Sequence, residues 1–557
     1  MALLTVAGLT EGVSILSLLP LIDLSMLKGG ESPSRAGQWL SQAIGAVGLK
    51  PSLGTWLFVI VAGIALKAGI TLVAMKEVGF AVGRLMTDLR RRLVMALMEA
   101  RWSYYVSQPL GVFANTLGAE TMRAGATYQQ AARLASAFTQ GMMYTVLTFL
   151  VSWRTALLAL LAGAAAVVIF RKVVTGAQVA GSHQTELMRS LSVRVTDTLQ
   201  GIKAVKAMAA EELALPLIDR EISNLDANQK QQVWLIELLR AGQEPILVTA
   251  LAIGLYGALQ VGGVSLSELM VVAVLFYRLL NRFQAVQEIY QAMALSESAY
   301  WSMYEMVNNL ISVSEDIMSG GVQAPSTPPR LTLQSVGYAY GEKQVLCEAS
   351  LDISAGEFVV LLGSSGAGKT TLLDLMGGLL QPSSGGIKVD GIDLSSLDLR
   401  SWRRRIGYVP QEMLLLHDSV YRNVSLGDQT ITRSDVEQAL QAAGVWSEVA
   451  ALPKGIDAPM GERGAHFSGG QRQRISLARA LVRQPSILLL DEITAALDEQ
   501  AERGVCETLR TLAGKMTIVA VSHQRIMARV ADRCVQLEDG RLTVAVRSVD
   551  LVVANAS

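Results

Sequence analysis

The chain has 557 residues, too many for a single domain, and this length predicts three or four compact units. It is 51% hydrophobic and 17% charged, with a mean hydropathy of +0.36, which is typical of a protein partly embedded in lipid. The formal net charge is zero, so the composition does not indicate a nucleic-acid partner. The three cysteines, Cys347, Cys506 and Cys534, lack metal-ligand spacing and fit small core residues in a reducing compartment.

Six apolar segments in the N-terminal half predict six membrane-spanning helices, at approximately residues 2–22, 56–75, 134–151, 156–170, 246–261 and 266–280. The first has no basic n-region or small-residue cleavage site, so we interpret it as a span rather than a signal peptide. The segments 76–133 and 171–240 are rich in Lys and Arg, which places them in the cytoplasm. Residues 1–312 are therefore predicted to form an all-α polytopic domain of the cytoplasmic (inner) membrane, with long cytoplasmic helical extensions.

Beyond the membrane segments the composition changes. Residues 313–330 are rich in Ser, Gly, Gln, Pro and Thr, and we interpret them as a linker. Residues 331–557 alternate apolar strands with helical stretches, which is typical of an α/β domain. The clearest predicted strands are Phe358–Leu362, Ile487–Leu490 and Thr517–Val521.

The α/β region contains a complete G-x-x-x-x-G-K-[ST] phosphate loop, formed by Gly363, Ser364, Ser365, Gly366, Ala367, Gly368, Lys369 and Thr370. Glycines allow successive backbone N–H groups to converge on an anion, and the helix that continues through Thr371 adds its N-terminus. Lys369 would reach the β- and γ-phosphates of a nucleotide, and the Thr370 hydroxyl would hold Mg²⁺. The structural alternative is a glycine-rich turn between a strand and a helix.

A second motif follows about 120 residues later, where the apolar strand Ile487–Leu490 ends in Asp491 and Glu492. Asp491 would hold Mg²⁺, and Glu492 would polarise the attacking water as the general base. The alternative is that the two acids only cap the helix that follows.

A third motif, from Phe467 to Arg474, resembles the L-S-G-G-Q signature of the ABC ATPase family, with Phe in place of Leu; its matching residues are Ser468, Gly469, Gly470 and Gln471. They open a helix and so form a second anion-binding end. In that family this helix contacts the γ-phosphate of the ATP that is held by the opposite subunit. The resemblance therefore implies a dimer.

Other positions match the same family. Tyr340 resembles the aromatic residue that stacks on adenine, with an ordinary strand aromatic as the alternative. Gln411 resembles the glutamine that touches Mg²⁺ and links to the membrane domain. Asp498 resembles the D-loop aspartate, although Ala495 replaces the usual Ser, and His523 lies where the switch histidine contacts the γ-phosphate.

The whole chain resembles an ABC exporter half-transporter, in which six spans precede one ATPase domain, and Gly461–Gly464 resembles a loop peculiar to exporter-type members. The resemblance implies ATP and Mg²⁺ as cofactors and a second copy of the chain as partner, since every catalytic element is present. It implies ATP-driven export or flipping of an amphipathic substrate (a lipid, lipid-linked glycan, peptide or hydrophobic small molecule) across the bilayer, and no nucleic acid. A siderophore-type importer built on the exporter fold is an alternative. A non-transporting ABC ATPase is another, which six embedded spans exclude.

Arg278 and Arg282 are one helical turn apart on the sixth segment. Ionisable residues within spans are costly and often functional, so the pair could bind an anionic headgroup in a cavity. The alternative is that both lie near the cytoplasmic end and face water or lipid phosphate.

Overall fold

A computed structural model describes residues 52–151, 153–261, 266–315, 321–494, 497, 499–522 and 524–547, and a few isolated positions among the first 50. The chain forms two compact units, fewer than the three or four that its length predicts, because the long helices of the first half pack into one large unit. One is Met1–Ala100 with Tyr104–Ser314, and the other is Arg101–Ser103 with Glu315–Ser557. The domain limits predicted at residues 312 and 331 stay predictions.

The first unit is built from helices: α1 (Leu53–Glu99), α2 (Trp102–Ser107), α3 (Leu110–Asn115), α4 (Thr121–Val151), α5 (Trp153–Gln200), α6 (Ile202–Ala207), α7 (Glu211–Val261) and α8 (Leu266–Ser312). A π-helical turn, Thr116–Glu120, joins α3 to α4. The helices α1, α5, α7 and α8 have 47, 48, 51 and 47 residues. At 1.5 Å per residue each is about 70 Å long, more than twice the ~30 Å hydrocarbon core of a bilayer.

Among the described residues, two helices contain a stretch apolar and long enough to cross a membrane: Leu53–Glu99, with a mean hydropathy of 2.3 over its best window, and Ala156–Gln200, with 2.2. These contain the second and fourth predicted spans. The third, fifth and sixth predicted spans are helical and lie in α4, α7 and α8. The first lies mostly outside the described residues, so the count of six stays a prediction.

Two apolar clusters hold the helices of the first unit together. One joins α4, α5, α7 and α8 through Tyr144, Ala159, Ala250 and Phe276, all buried. The other joins α1, α3, α4 and α8 through buried residues that include Leu93, Phe113, Ala124 and Met303. Removal from water stabilises the second cluster, which lies outside the predicted spans, by roughly 1.5–3 kcal/mol for each large apolar group. The first cluster lies within the predicted spans, where close packing holds the helices together.

A close approach of α5 to α8 depends on a glycine. A Cβ atom on Gly181 would lie 2.4 Å from the Leu295 carbonyl oxygen, so a larger residue would force the two helices apart. Arg123 of α4 completes this junction, since its guanidinium donates to the Leu295 carbonyl at 2.9 Å and to the Thr185 hydroxyl at 2.8 Å.

The second unit contains ten strands and eight α-helices in its described residues after Glu315: β1 (Leu331–Tyr340), β2 (Lys343–Ile353), β3 (Phe358–Leu362), α9 (Lys369–Met376), β4 (Ser384–Val389), β5 (Ile392–Asp393), α10 (Leu399–Arg404), β6 (Ile406–Val409), α11 (Val420–Ser425), α12 (Arg433–Ala442), α13 (Trp446–Ala450), α14 (Gly469–Leu481), β7 (Ile487–Asp491), α15 (Glu499–Leu512), β8 (Thr517–Val521), α16 (Arg525–Val530), β9 (Arg533–Glu538) and β10 (Arg541–Arg547). The three predicted strands are confirmed as β3, β7 and β8.

These strands form two sheets. The larger has the order β10-β9-β3-β8-β7-β6, with parallel pairing from β9 to β6. The smaller, β2-β1-β4-β5, is antiparallel. Helices cover the parallel sheet, so its central strands are apolar throughout, as parallel sheets require. This order places the carboxyl ends of β3, β8, β7 and β6 at one edge, where ligands bind in open α/β sheets.

The described part of the linker is bonded to the second unit. Val322 exchanges backbone hydrogen bonds with Ser396 and Asp398, both at 3.0 Å. The Ala324 N–H donates to the Ser401 hydroxyl at 2.9 Å. Earlier in the chain, Glu315 accepts two hydrogen bonds from the Arg403 guanidinium, a paired geometry that fixes orientation.

Candidate functional site

The phosphate loop connects β3 to α9, and three of its residues, Gly363, Gly366 and Gly368, have positive φ angles that favour glycine. Gly363 has a φ of +152° and Gly368 a φ of +101°, both on the positive side that side chains disfavour. A Cβ on Gly363 would also lie 2.3 Å from the Leu537 carbonyl oxygen of β9. Because β3 is buried from Phe358 to Leu361, the loop emerges from a rigid strand at the sheet edge.

Lys369 is the first residue of α9, and its side chain turns back over the loop. Its ammonium donates to the carbonyl oxygens of Gly363 at 3.0 Å and Ser364 at 2.8 Å. Only 5% of the residue is exposed, and this burial lowers the pKa of the ammonium, against the opposing charges of Glu492 and Asp491. An ammonium has three donors, so two hold the loop in shape and a third is free to reach an anion.

Thr370 and Asp491 bring the phosphate loop and the end of β7 together. The Thr370 hydroxyl donates to Asp491 Oδ2 at 2.8 Å. Asp491 is 2% exposed, and its Oδ1 is buried without a hydrogen-bond partner among the described residues. Burial raises the pKa of Asp491, and the Glu492 charge adds to that effect. An orphan carboxylate oxygen beside a hydroxyl fits a small hard cation.

The described residues contain no group of three His, Cys, Asp or Glu that would hold a metal by themselves. Mg²⁺ is usually bound through one or two protein oxygens together with phosphate oxygens and water. The pair formed by Thr370 and Asp491 therefore suits Mg²⁺ that arrives with a nucleotide.

Glu492 follows Asp491 and contacts Gln411, which follows β6. The Gln411 amide donates to Glu492 Oε2 at 2.9 Å. The backbone of Glu492 has a φ of +51°, and its N–H donates to the Val521 carbonyl at 3.1 Å. A left-handed conformation costs a non-glycine residue on the order of 1 kcal/mol, so the fold holds this carboxylate in place against its backbone preference.

The signature residues begin α14. Ser468 and Gln471 form a reciprocal capping box: Ser468 Oγ accepts from the Gln471 N–H at 3.3 Å, and Gln471 Oε1 accepts from the Ser468 N–H at 2.9 Å. A Cβ on Gly470 would lie 3.1 Å from the Leu497 side chain. The contacts of these residues are with their own helix and its neighbours, whereas the phosphate loop contacts Asp491.

The structure places the remaining predicted residues as follows. Tyr340 ends β1, is 41% exposed and lies edge-on to Tyr338 at 5.0 Å between ring centroids. An exposed ring leaves a face for stacking, and its adenine role stays a prediction. Asp498 and His523 lie outside the described residues, as does Ala495, so their roles also stay predictions.

Two residues of this region were missed by the sequence analysis. Asp374, one helical turn after Thr370 in α9, accepts a hydrogen bond from the Tyr408 hydroxyl of β6 at 3.1 Å. Asp374 is 6% exposed, and burial raises its pKa to about 6, with the Asp491 charge adding to the effect. The i, i+4 spacing from Thr370 could have indicated Asp374, but Tyr408 carries no motif.

We expect Asp374→Asn to stabilise the second unit at neutral pH. Because the folded pKa is raised from the ordinary 3.8 to about 6, the native state loses stability as pH rises through this window and does not regain it above. The neutral amide removes a penalty on the order of 1–3 kcal/mol, or about 3–8 °C in melting temperature, at pH 7.5. Melting of the full chain in nanodiscs between pH 5 and 8, with the exposed Asp539→Asn as control, measures it. A lower melting temperature for Asp374→Asn at pH 7.5 would show that the ionised carboxylate is stabilising.

Comparison with known families decides the identity of the chain. The family profile of the ABC transporter transmembrane region matches residues 5–283, half of the chain. The chain belongs to the ABC transporters. The profile of the ABC transporter ATPase matches residues 346–495, which include the phosphate loop, the signature and Asp491. This ABC transporter is therefore a membrane protein that binds ATP and couples its hydrolysis to transport, in agreement with the resemblance of the sequence.

Curated relatives cover most of the chain at modest identity. The chain is 28% identical over 507 residues to an ATP-dependent lipid A-core flippase of Chromobacterium violaceum, covering 89% of this chain and 86% of that protein. It is 28% identical over 462 residues to the heterocyst differentiation ATP-binding protein HepA of a Nostoc species, covering 82% and 75%.

A solved structure of a bacterial Atm1-family ABC exporter with ATP bound matches the fold of this ABC transporter. The TM-score is 0.81 at 21% identity, and the match covers 100% of this chain and 95% of that one. The predicted fold class, a helical membrane domain followed by an α/β ABC ATPase domain, is thereby confirmed.

Proposed function

We propose that this ABC transporter is one half of a homodimer in the cytoplasmic membrane, which uses ATP and Mg²⁺ to flip an amphipathic, lipid-like substrate across the bilayer. The observation that carries the proposal is the joining, in one chain, of a complete nucleotide site to helices long and apolar enough to span a membrane. The flippase name of the Chromobacterium relative supports the substrate class.

Each residue of the nucleotide site has a proposed role. The N–H groups from Gly363 to Thr371 surround the phosphates, and Lys369 neutralises them. Thr370 and Asp491 supply oxygen ligands to Mg²⁺, which would balance phosphate charge when bound. Glu492 accepts a proton from the attacking water, and its hydrogen bond to Gln411 aims the carboxylate.

We propose a second copy of the chain because the signature residues and the phosphate loop belong to different elements of the domain. Ser468, Gly469, Gly470 and Gln471 lie at the N-terminus of α14, and the capping hydrogen bonds of Ser468 and Gln471 are made within that helix end. A helix N-terminus stabilises negative charge, so the signature of a partner copy would close over the γ-phosphate. Asp498 and His523 are proposed to complete that site between the two copies.

Two copies would couple ATP to transport by population shift. ATP binds more tightly to the state in which the phosphate loop of one copy and the signature of the other both contact it. It can shift the membrane helices only through this difference in its affinity for the two states. The siderophore-type importer is not favoured, because the relatives and the matching structure are named as a flippase and an exporter.

The proposal is tested by reconstituting the purified chain in liposomes that contain fluorescent phospholipids, lipid-linked glycans or hydrophobic peptides. We expect ATP to drive loss of one of these classes from one leaflet, with Mg²⁺ required and Glu492→Gln as the inactive control. ATP hydrolysis without net movement of any amphipathic class would refute the flippase proposal. An inactive wild-type protein would refute the homodimer and indicate a different partner subunit.

A further inference from the structure

A groove between α7 and α8 has a volume of about 400 Å³ and lies within the first unit. It spans the predicted cytoplasmic ends of the fifth and sixth membrane segments, which begin near Ile246 and end near Leu280. That depth corresponds to the headgroup level of the inner leaflet. The two helices run antiparallel here, as shown by the Gln243–Gln287 hydrogen bond of 2.6 Å and the Gln291 donation to the Leu235 carbonyl at 3.0 Å.

The lining of the groove changes from apolar to polar along its length. Toward the predicted membrane it is lined by Val248, Leu251, Tyr277 and Leu280, and Val248 and Tyr277 are more than half exposed. Toward the predicted cytoplasm it is lined by Glu237, Arg240, Glu244, Asn281 and Gln284. An apolar end joined to a polar end matches a lipid molecule, whose acyl chains and headgroup differ in the same way.

The polar end carries more negative than positive charge. Arg240 donates to Glu237 at 3.3 Å and lies 4.0 Å from Glu288, so two carboxylates share one guanidinium. Glu244 is a third carboxylate, one helical turn along α7 on the same face as Arg240. The groove therefore offers acidic groups to an incoming cation. Arg240 is paired with Glu237 and Glu288, but its guanidinium is 60% exposed and has five N–H donors, so it can also donate to one adjacent anionic group.

A proline adds an acceptor at the same place. Pro245 lies inside α7 and has no N–H, so it cannot donate to the carbonyl of Ala241, which lines the groove. A backbone carbonyl that lacks its helical donor can accept a hydrogen bond from another group. Together with Glu237 and Glu244, it gives an ammonium group several oxygen acceptors within about two turns of helix.

The arginines that the sequence singled out lie on another face of α8. The Arg282 guanidinium lies over the Tyr144 ring of α4 at 5.9 Å, and its Cβ approaches Gly141 of α4. Arg278 is one turn earlier on that face, and neither residue lines the groove. The hypothesis of an anionic headgroup bound by these two arginines is therefore not supported at this groove.

We propose that the groove binds the zwitterionic headgroup of a membrane phospholipid that bears an ammonium group, and so selects the lipid that the transporter moves. Glu244 and Glu237 pair with the ammonium, Arg240 faces the phosphate, and the apolar end holds the first part of the acyl chains. Charge-assisted hydrogen bonds of this kind are stronger and more selective than neutral ones. The inference rests on the proposed flippase function and names its substrate class.

The test uses full-length protein in liposomes of phosphatidylglycerol with increasing phosphatidylethanolamine of the same acyl chains. ATPase stimulation and ATP-dependent movement of acyl-labelled versions of both lipids are measured together. We expect phosphatidylethanolamine to stimulate and to move, and Glu244→Gln to raise its half-stimulating amount by about tenfold, the effect of losing one such charge pair. Glu305→Gln, an exposed carboxylate of α8 outside the groove, and Arg282→Gln are expected to behave like wild type.

Other outcomes would overturn the inference. Equal movement of the two lipids, or loss of the preference on changing Arg282 but not Glu244, would show that the groove does not select an ammonium group. The double variant Glu237→Gln with Glu244→Gln could instead change the measured mass of the assembly and leave the lipid preference unchanged. That result would show that a second copy of the chain covers the groove. Both outcomes leave ATP-driven lipid movement intact, whereas absence of movement of either lipid, or of any other amphipathic class, refutes the proposed function itself.

Discussion

Glu492→Gln is expected to lower ATP turnover by at least about 100-fold while ATP still binds, because general bases contribute about 10²- to 10⁴-fold. The amide cannot accept a proton from water, yet it has nearly the shape of the carboxylate. The left-handed backbone at this residue and the contact with Gln411 can both persist, since an amide oxygen also accepts a hydrogen bond. The substitution therefore separates the chemistry from the architecture of the site.

Two measurements check this result. Steady-state phosphate release gives the turnover, and native mass of the protein with ATP and Mg²⁺ shows whether the trapped species contains two copies. The matched control is Glu507→Gln, an exposed carboxylate of α15. Turnover within a factor of about three of wild type would remove Glu492 from the role of general base.

Lys369→Ala is expected to weaken ATP binding by about 30- to 1,000-fold, since losing charge-assisted contacts to phosphate costs about 2–4 kcal/mol. The substitution also removes the ammonium that holds the carbonyls of Gly363 and Ser364 at 3.0 and 2.8 Å. We therefore expect the empty loop to lose its shape as well as its charge.

Titration with a fluorescent ATP analogue measures the loss, and Lys454→Ala, at an exposed lysine of the same unit, is the control. Thermal melting without nucleotide tests the second effect, for which we expect a small decrease. Unchanged ATP affinity in a folded Lys369→Ala protein would contradict the phosphate role. If the Lys369→Ala protein does not fold, Lys369→Met is measured instead, because it keeps the packing of the side-chain stem.

The fold could be predicted from the sequence where one continuous segment is enough to determine a helix or a strand. The strands β3, β7 and β8 are buried apolar runs, and their limits could be set within one residue. The long helices could be predicted because their segments contain few helix-breaking residues. The start of the fifth predicted span at residue 246 coincides with Pro245, but α7 continues through that proline from Glu211 to Val261, because packing against α5 and α8 outweighs the lost hydrogen bond.

The site was predictable only as separate motifs. The contact of Gln411 with Glu492 joins residues 81 positions apart, and it follows from the parallel pairing of β6 with β7, in which Val409 lies opposite Leu490. The sequence analysis missed Asp374 and Tyr408 because their hydrogen bond forms only when α9 packs against β6. For the same reason the sequence drew attention to Arg282, while the groove is formed by the face that carries Glu244.

The lengths of the four longest helices have a mechanical meaning. A stiff rod about 70 Å long that tilts by about 5° about one end moves its other end by about 6 Å, roughly the rise of one helical turn. The helices α1, α5 and α8 contain no proline and suit this leverage, whereas α7 contains Pro216 and Pro245. Of these four helices, α7 is the one in which prolines weaken the helical hydrogen bonding, and Pro245 follows Glu244 of the groove directly.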